Sequence, residues 1–307
     1  MRGLRQISSS WQICQEPSGR ASPRPPRKAQ TATERNQMGV GMCDLDIDNV
    51  AATYEKNGYV SPVRLISEQD AIHHRGLLEE AETSFGNMHY RSKIHTIHTS
   101  PLMLATLPSV LDIVERMIGP NILLYNVTYI IKEPKSQAHV SWHQDLTYWG
   151  LSHDDQVSMW LALSPATLES GCMRMIPGSH LGGRMEHVTT DDGDNVLLQG
   201  QTVSGVNESD ARACPLAPGE ATFHHGWTLH ASMPNRSADR RIGLNVQYLA
   251  THVRQTKHDL DTAMLVRGQD EHGHFESDRP ATSDLDPAAI AHQAFLEDRY
   301  VRIAGRQ

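Results

Sequence analysis

Beyond residue 120 the chain breaks into short runs in which side-chain character changes at every second position. That period constrains the fold more than any other feature. In "QVSMWLALSPA", Val157, Met159, Leu161 and Leu163 alternate with Ser158, Trp160 and Ala162. In "RRIGLNVQYLA", Ile242, Leu244, Val246 and Tyr248 alternate with Arg241, Gly243, Asn245 and Gln247. A strand sends successive side chains to opposite faces, so each run has one apolar face and one that is more polar. "NILLYNVTYIIKEP", "GCMRMIPGS" and "GEATFHHGWTLHAS" share the texture, and clusters of Gly, Pro, Asn and Ser separate them. Short strands at this spacing point to an all-β sandwich or barrel.

Helical patterns flank this region. "IDNVAATYEKNG" reads as a short helix stopped by Gly58, and "SEQDAIHHRGLLEEAETSF" opens with a capping box from Ser67 to Asp70. "LPSVLDIVERMIGP" carries Pro108 in its first turn, and "DLDPAAIAHQAFLEDRY" sets Asp286 as a cap before Pro287. The expected organisation is a disordered Arg/Pro/Ser-rich tail over residues 1–42, with Met38 or Met42 as alternative starts, then one domain over 43–307. Within it the β core spans about 120–255 and a C-terminal helical extension 256–307.

Composition narrows the function. Cys14, Cys43, Cys172 and Cys214 form no CxxC pair, which argues against a disulfide framework or a structural zinc site and fits a reducing, cytoplasmic setting. No apolar run approaches the roughly 18–20 residues that span a bilayer, so no membrane partner is expected. Seven Lys/Arg against two Glu in the first 40 residues leave the rest more negative than the net −8 of the whole. An acidic body speaks against nucleic acid, whose phosphates need a basic surface. The oligomeric state is not written in these patterns.

The 18 histidines make a metal site worth seeking. In "SWHQDLTYWG", His143 and Asp145 lie among Trp142, Leu146, Tyr148 and Trp149. On a strand, positions two apart share a face, and burying both groups unpaired is expensive. A cation between them or a mutual hydrogen bond would each resolve that cost, and this segment alone does not choose. A second His-x-Asp, His153 and Asp155 in "LSHDDQ", sits in a polar cluster and reads as a solvated turn. "GEATFHHGWTLHAS" offers a third ligand, with His224 and His230 on one face and His225 on the other if it runs as a single strand. Two histidines and a carboxylate make the facial set of non-haem Fe(II) oxygenases. Arg241 shares its face with Asn245 and Gln247, where a guanidinium invites a carboxylate, either in a structural salt bridge or on a ligand.

"GPNILLYNVTYIIKEP", "WHQDLTYW", "GCMRMIPGSH" and "FHHGWTLHASMPNRSADRRIGLNVQYL" together resemble the phytanoyl-CoA dioxygenase family over about residues 45–255. The resemblance implies a mainly β fold, a double-stranded β-helix (cupin-like jelly roll) with flanking N- and C-terminal helices. It implies Fe(II), 2-oxoglutarate and O2 as cofactor and cosubstrates, with ascorbate supporting activity. His143, Asp145 and His230 match the iron ligands, and Arg241 matches the arginine on the distal carboxylate of 2-oxoglutarate. Ser232, Gln144, Trp160 and Tyr125 match positions near the cosubstrate, while His225, Asn126 and Lys93 fall at candidate pocket or supporting positions. Halogenating relatives carry a small residue where Asp145 stands, so hydroxylation is favoured over chlorination.

The implied activity is hydroxylation of an unactivated C–H in a small metabolite, amino-acid-derived or of natural-product type, with release of succinate and CO2. Alternatives are desaturation or acyl-CoA hydroxylation on the same site, a non-catalytic jelly-roll binding protein, or a zinc hydrolase. The substrate pocket is expected from the N-terminal helices, "NMHYRSKIHTIHTS", the loop 182–212 and the C-terminal segment, with Arg91, Lys93, His95 and His98 as candidate anion holders.

Overall fold

The computed structural model describes residues 45–197 and 200–305, so the expected tail over 1–42 lies outside the described residues. Caps set the helices where the sequence places them. α1 (Ile47–Asn57) is capped by the Asp46 side chain, which accepts from the Asn49 N–H. It ends at Gly58 with φ 79°, where a Cβ would fall 2.4 Å from His180 Nδ1. Only glycine meets both demands. Ser67 caps α2 (Glu68–Phe85) by accepting from the Asp70 N–H. α3 (Thr99–Ala105) precedes α4 (Pro108–Ile118), whose first residue is the proline. α5 (Leu146–Trp149) is a single turn, and α6 (Pro287–Ala304) starts behind Asp286.

The strands in chain order are β1 (Tyr59–Arg64), β2 (Ile122–Lys132), β3 (Val140–His143), β4 (Gln156–Ala162), β5 (Met173–Met175), β6 (Val188–Thr189), β7 (Gln201–Thr202), β8 (Arg212–Cys214), β9 (Glu220–His225), β10 (His230–Ser232), β11 (Arg241–Ala250), β12 (Thr262–Arg267) and β13 (Glu276–Ser277). Seven form a large sheet in the order β1-β9-β4-β11-β2-β12-β13, four a small sheet β3-β10-β5-β8, and β6-β7 a separate ribbon. Pairing is antiparallel except between β12 and β13. Side chains of both larger sheets line one cavity between them. This is the double-stranded β-helix, or jelly roll.

The alternation has an inverted meaning here. The apolar set of β4 and β11 faces outward under helices, where α4 packs on β2, β4 and β11. The buried Val110, Leu111, Ile113 and Val114 of α4 each contribute roughly 1.5–3 kcal/mol there. The polar set faces the cavity. Strand register stacks it into cross-strand rows: Arg241 beside Lys132, Gly243 beside Ile130 and Ala162, Asn245 beside Thr128 and Trp160, Gln247 beside Asn126 and Ser158. Gly243 leaves the space that the Trp160 indole fills, since a Cβ there would lie 1.9 Å from the ring.

Two expectations need correction. The sheet is not confined to about 120–255: β1 pairs with β9 and β12 with β2, so the stretch 256–307 is only partly helical. Pro62 hides β1 in the sequence, and an edge strand is where a proline is tolerated. "GEATFHHGWTLHAS" is not one strand. It turns after His225 and continues as β10 in the other sheet.

Candidate active site

β3 and β10 are antiparallel neighbours with His143 opposite His230, which brings the two imidazole centroids to 4.0 Å. β3 ends at His143, so Asp145 reaches the same point not by strand alternation but from the helical turn that starts α5. Its Oδ1 lies 3.4 Å from His143 Nε2 and 3.6 Å from His230 Nε2. One atom from each of the three residues falls within 4.8 Å of the others, a set that could hold a metal ion. The supporting bonds fix the tautomers. His143 Nδ1 donates to Ser141 O and His230 Nδ1 to Thr228 O, both at 2.9 Å, which leaves each Nε2 lone pair facing Asp145.

Electrostatics agree with ligand duty. Burial, joined by the neighbouring His143, holds the His230 imidazole well below its ordinary pKa, so protons do not compete for its lone pair near neutrality. Burial alone would raise the Asp145 carboxyl, but His230, His143 and His224 outweigh it and keep the group ionised. Asp145 Oδ2 accepts from the Ser158 hydroxyl at 3.0 Å and from His224 Nε2 at 3.3 Å. Ser158 and His224 are cross-strand partners on β4 and β9.

Arg241 opens β11 at the far end of the cavity and is 1 % exposed. It makes one hydrogen bond, to Gly171 O at 2.7 Å, and its guanidinium lies 5.0 Å from the Trp160 ring centroid. Among the described residues no carboxylate pairs with it, and Nε has no partner. Burial pulls its pKa down to about 10, so the group stays charged at neutral pH and uncompensated. A chain that keeps such a cation has room for an anionic ligand. Ser232 faces the same space, and its Oγ accepts from Lys132 Nζ at 2.8 Å, which leaves the hydroxyl proton to donate into the cavity. Lys132 also donates to Ser232 O and Met233 O, and so pins the end of the strand that carries His230. Lys132→Met should therefore weaken the affinity of this cavity for a small dicarboxylate by about 5- to 30-fold, the worth of roughly 1–2 kcal/mol; titration calorimetry checks it.

Other expected positions divide. Trp160 and Asn126 line the cavity of about 140 Å³. Gln144, Tyr125, His225 and Lys93 do not. Gln144 donates to Gly183 O and Trp227 O, because the residue between two inward ligands points away. Tyr125 is the extra residue of a bulge, since Asn126 pairs with Gln247 and Leu124 with Tyr248. Its hydroxyl goes to Asp261. Lys93 is buried, with Nζ 3.0 Å from Asp278, and Arg91 and His98 are likewise taken by Glu297 and Asp284. His95 is buried beside Asp278. The expected anion holders are thus already neutralised.

His225 faces the opposite side of the sheet, near Tyr54, His180 and Asp154, and His224 is the histidine that reaches the carboxylate. Burial pushes the His225 pKa down to about 4, against the raising influence of Asp154. Its folded value lies below the ordinary 6.5, so both states are neutral above that pH and only the unfolded chain takes up the proton between 6.5 and about 4. Stability should fall with pH across that window, by about 3 kcal/mol when fully developed. His225→Asn should flatten the loss in denaturant midpoints measured from pH 7 to 4.

The family model for phytanoyl-CoA dioxygenase matches residues 54–243, more than half of the chain, and the match includes all three candidate ligands and Arg241. The chain belongs to the phytanoyl-CoA dioxygenase family. It is 30% identical over 143 residues to the "Probable alpha-ketoglutarate-dependent hypophosphite dioxygenase" of Stutzerimonas stutzeri, covering 46% of this chain and 50% of that protein. It is 25% identical over 207 residues to the phytanoyl-CoA dioxygenase domain-containing protein 1 homolog of Dictyostelium discoideum, covering 66% and 68%. The match therefore spans half the length of the first relative. The solved apo structure of the non-heme monooxygenase ThoJ is similar at 27% identity and TM-score 0.71, covering 82% of this chain and 99% of that one.

Within this phytanoyl-CoA dioxygenase-family chain, sequence reasoning missed several cavity residues. Tyr90 enters from a left-handed backbone position, φ 58°, and Tyr148 from α5. Tyr300 comes from α6, more than fifty residues past the last sheet residue that shares the cavity, Gln247. The N-terminal helices, residues 87–100, the loop 182–212 and the C-terminal segment were expected to contribute, and α1 to α4 supply none of the described lining residues. Those that line the cavity from the other segments are Tyr90 and Ser92, Leu197 of the loop, and Tyr300, Val301 and Ala304.

Proposed function

We propose that this chain is an Fe(II)- and 2-oxoglutarate-dependent dioxygenase acting in the cytoplasm. It hydroxylates an unactivated C–H bond of a small metabolite, with release of succinate and CO2. One observation carries the reading: a buried, unpaired guanidinium opens into the same cavity as two imidazole Nε2 atoms and a carboxylate. A zinc hydrolase or a plain binding protein would leave Arg241 a costly charge without a role.

His143, Asp145 and His230 would hold the iron, and Arg241, whose guanidinium lies over the Trp160 ring, would with Ser232 hold the distal carboxylate of 2-oxoglutarate. Bound iron and cosubstrate supply the oxidising chemistry. The chain's own residues do the rest. Ser158 and His224 keep Asp145 ionised and oriented, and the backbone acceptors hold both imidazole tautomers. Tyr148, Trp149 and Tyr300 narrow the access of water. The decisive experiment measures succinate formed from 2-oxoglutarate with Fe(II), O2 and ascorbate, with and without candidate metabolites. Succinate at the no-enzyme level under every condition would remove the proposal.

A further inference from the structure

We infer that the substrate group entering this cavity is uncharged and bears a hydroxyl or carbonyl oxygen, bound by Gln247 and Tyr148. The inference rests on the dioxygenase reading above. It starts from charge. Among the described residues, imidazoles and phenols aside, the only ionisable acid and base that line the cavity are Asp145 and Arg241, and both are committed. In the loaded site, the iron and Arg241 are offset by Asp145 and the two carboxylates of the cosubstrate. No positive charge is left over for a substrate anion. The nearest further bases are spent or neutral as well: Arg91 pairs with Glu297 and Lys93 with Asp278, while burial and the neighbouring Arg241 pull Lys132 down to about 6, so it carries little charge at neutral pH. An anion here would be buried without a partner, and a cation would meet no free carboxylate.

Of the polar groups that remain, Gln247 and Tyr148 offer free donors. Tyr300 donates its hydroxyl to Gln247 Oε1 at 3.2 Å, which fixes that amide and leaves its NH2 as the free end. The Lys93 N–H donates to Asn126 Oδ1 at 2.8 Å and fixes the neighbouring amide in the same sense. The Tyr148 hydroxyl is buried, lines the cavity and has no partner. Gln247 and Asn126 share the cross-strand row of Ser158 and His224, the two residues bonded to Asp145, so these donors stand beside the metal end. Donors without a counter-charge select an acceptor oxygen on a neutral molecule. Tyr300 and Val301 place α6 as the outer wall against which that molecule packs.

The test uses matched probes on the full-length protein with Fe(II) and 2-oxoglutarate: neutral lactones, cyclic ketones and primary alcohols, each beside the carboxylate made by opening or oxidising it. Succinate release should rise at least tenfold over the substrate-free rate with one or more neutral probes and stay at that rate with the carboxylates. For the responding probe, Gln247→Leu and Tyr148→Phe should each raise KM at least tenfold, a larger change than in kcat, with 2-oxoglutarate calorimetry as the check on folding. Stimulation by carboxylates or acyl-CoA thioesters above their neutral partners overturns the inference. So does a failure of every neutral probe, or an unmoved KM in both variants. Wild-type protein that binds no 2-oxoglutarate would instead overturn the dioxygenase reading.

Discussion

Arg241→Met should bind 2-oxoglutarate at least about 30-fold more weakly than wild type, without a matching loss of melting temperature in the apoprotein. Removing one partner of a buried, hydrogen-bonded charge pair costs roughly 2–5 kcal/mol, which sets the lower bound on affinity. Stability goes the other way. In the free protein the guanidinium has no carboxylate partner, an orphaned Nε and a pKa drawn down to about 10 by burial. Methionine forfeits the bond to Gly171 O but relieves an uncompensated charge and still packs on Trp160. A merely structural arginine predicts the reverse pair of results. Titration calorimetry of the metal-loaded variant, with differential scanning of the apo form, reads both. Affinity within about threefold of wild type would remove Arg241 from the cosubstrate site.

What could be read in advance follows strand parity, and what could not depends on tertiary packing. Alternation in β11 put Arg241, Asn245 and Gln247 on one face, and that face is the cavity wall. The step from His230 to Arg241 is legible because β10 and β11 lie in different sheets, and the short turn between them returns the chain to the same cavity. Parity also separates His224 from His225. Continuous alternation already turned His225 away from His230, and only the resemblance kept it among the candidates. A bulge defeats parity altogether, and Tyr125 stands in one. Lys93 and Tyr90 sit at left-handed backbone positions in an irregular stretch, where no period applies. Tyr300 belongs to a helix whose docking is set by partners such as Ser92, which Glu297 and Gln293 hold through its backbone.

The same network predicts that Asp145→Asn, the most conservative change at the metal end, should be among the most damaging. Oδ2 faces two donors, the Ser158 hydroxyl and His224 Nε2–H, while Oδ1 faces two lone pairs, those of His143 and His230. An asparagine in this position has its flip chosen for it. Its oxygen stays with the two donors, and its NH2 turns toward the imidazoles, where it donates to Nε2. The apoprotein keeps its fold and satisfies its hydrogen bonds, but the space between the ligands now presents two N–H groups and no negative charge. Ferrous affinity should fall by at least about 100-fold, more than the 10- to 100-fold typical of losing an outer partner such as His224, and turnover should vanish with it. Competition with a chelator of known strength measures the first and succinate release the second, and an unchanged apo melting temperature shows that the loss is in binding. If the variant held Fe(II) as tightly as wild type, Asp145 would be no ligand, because a neutral amide turned nitrogen-first cannot replace a coordinating carboxylate.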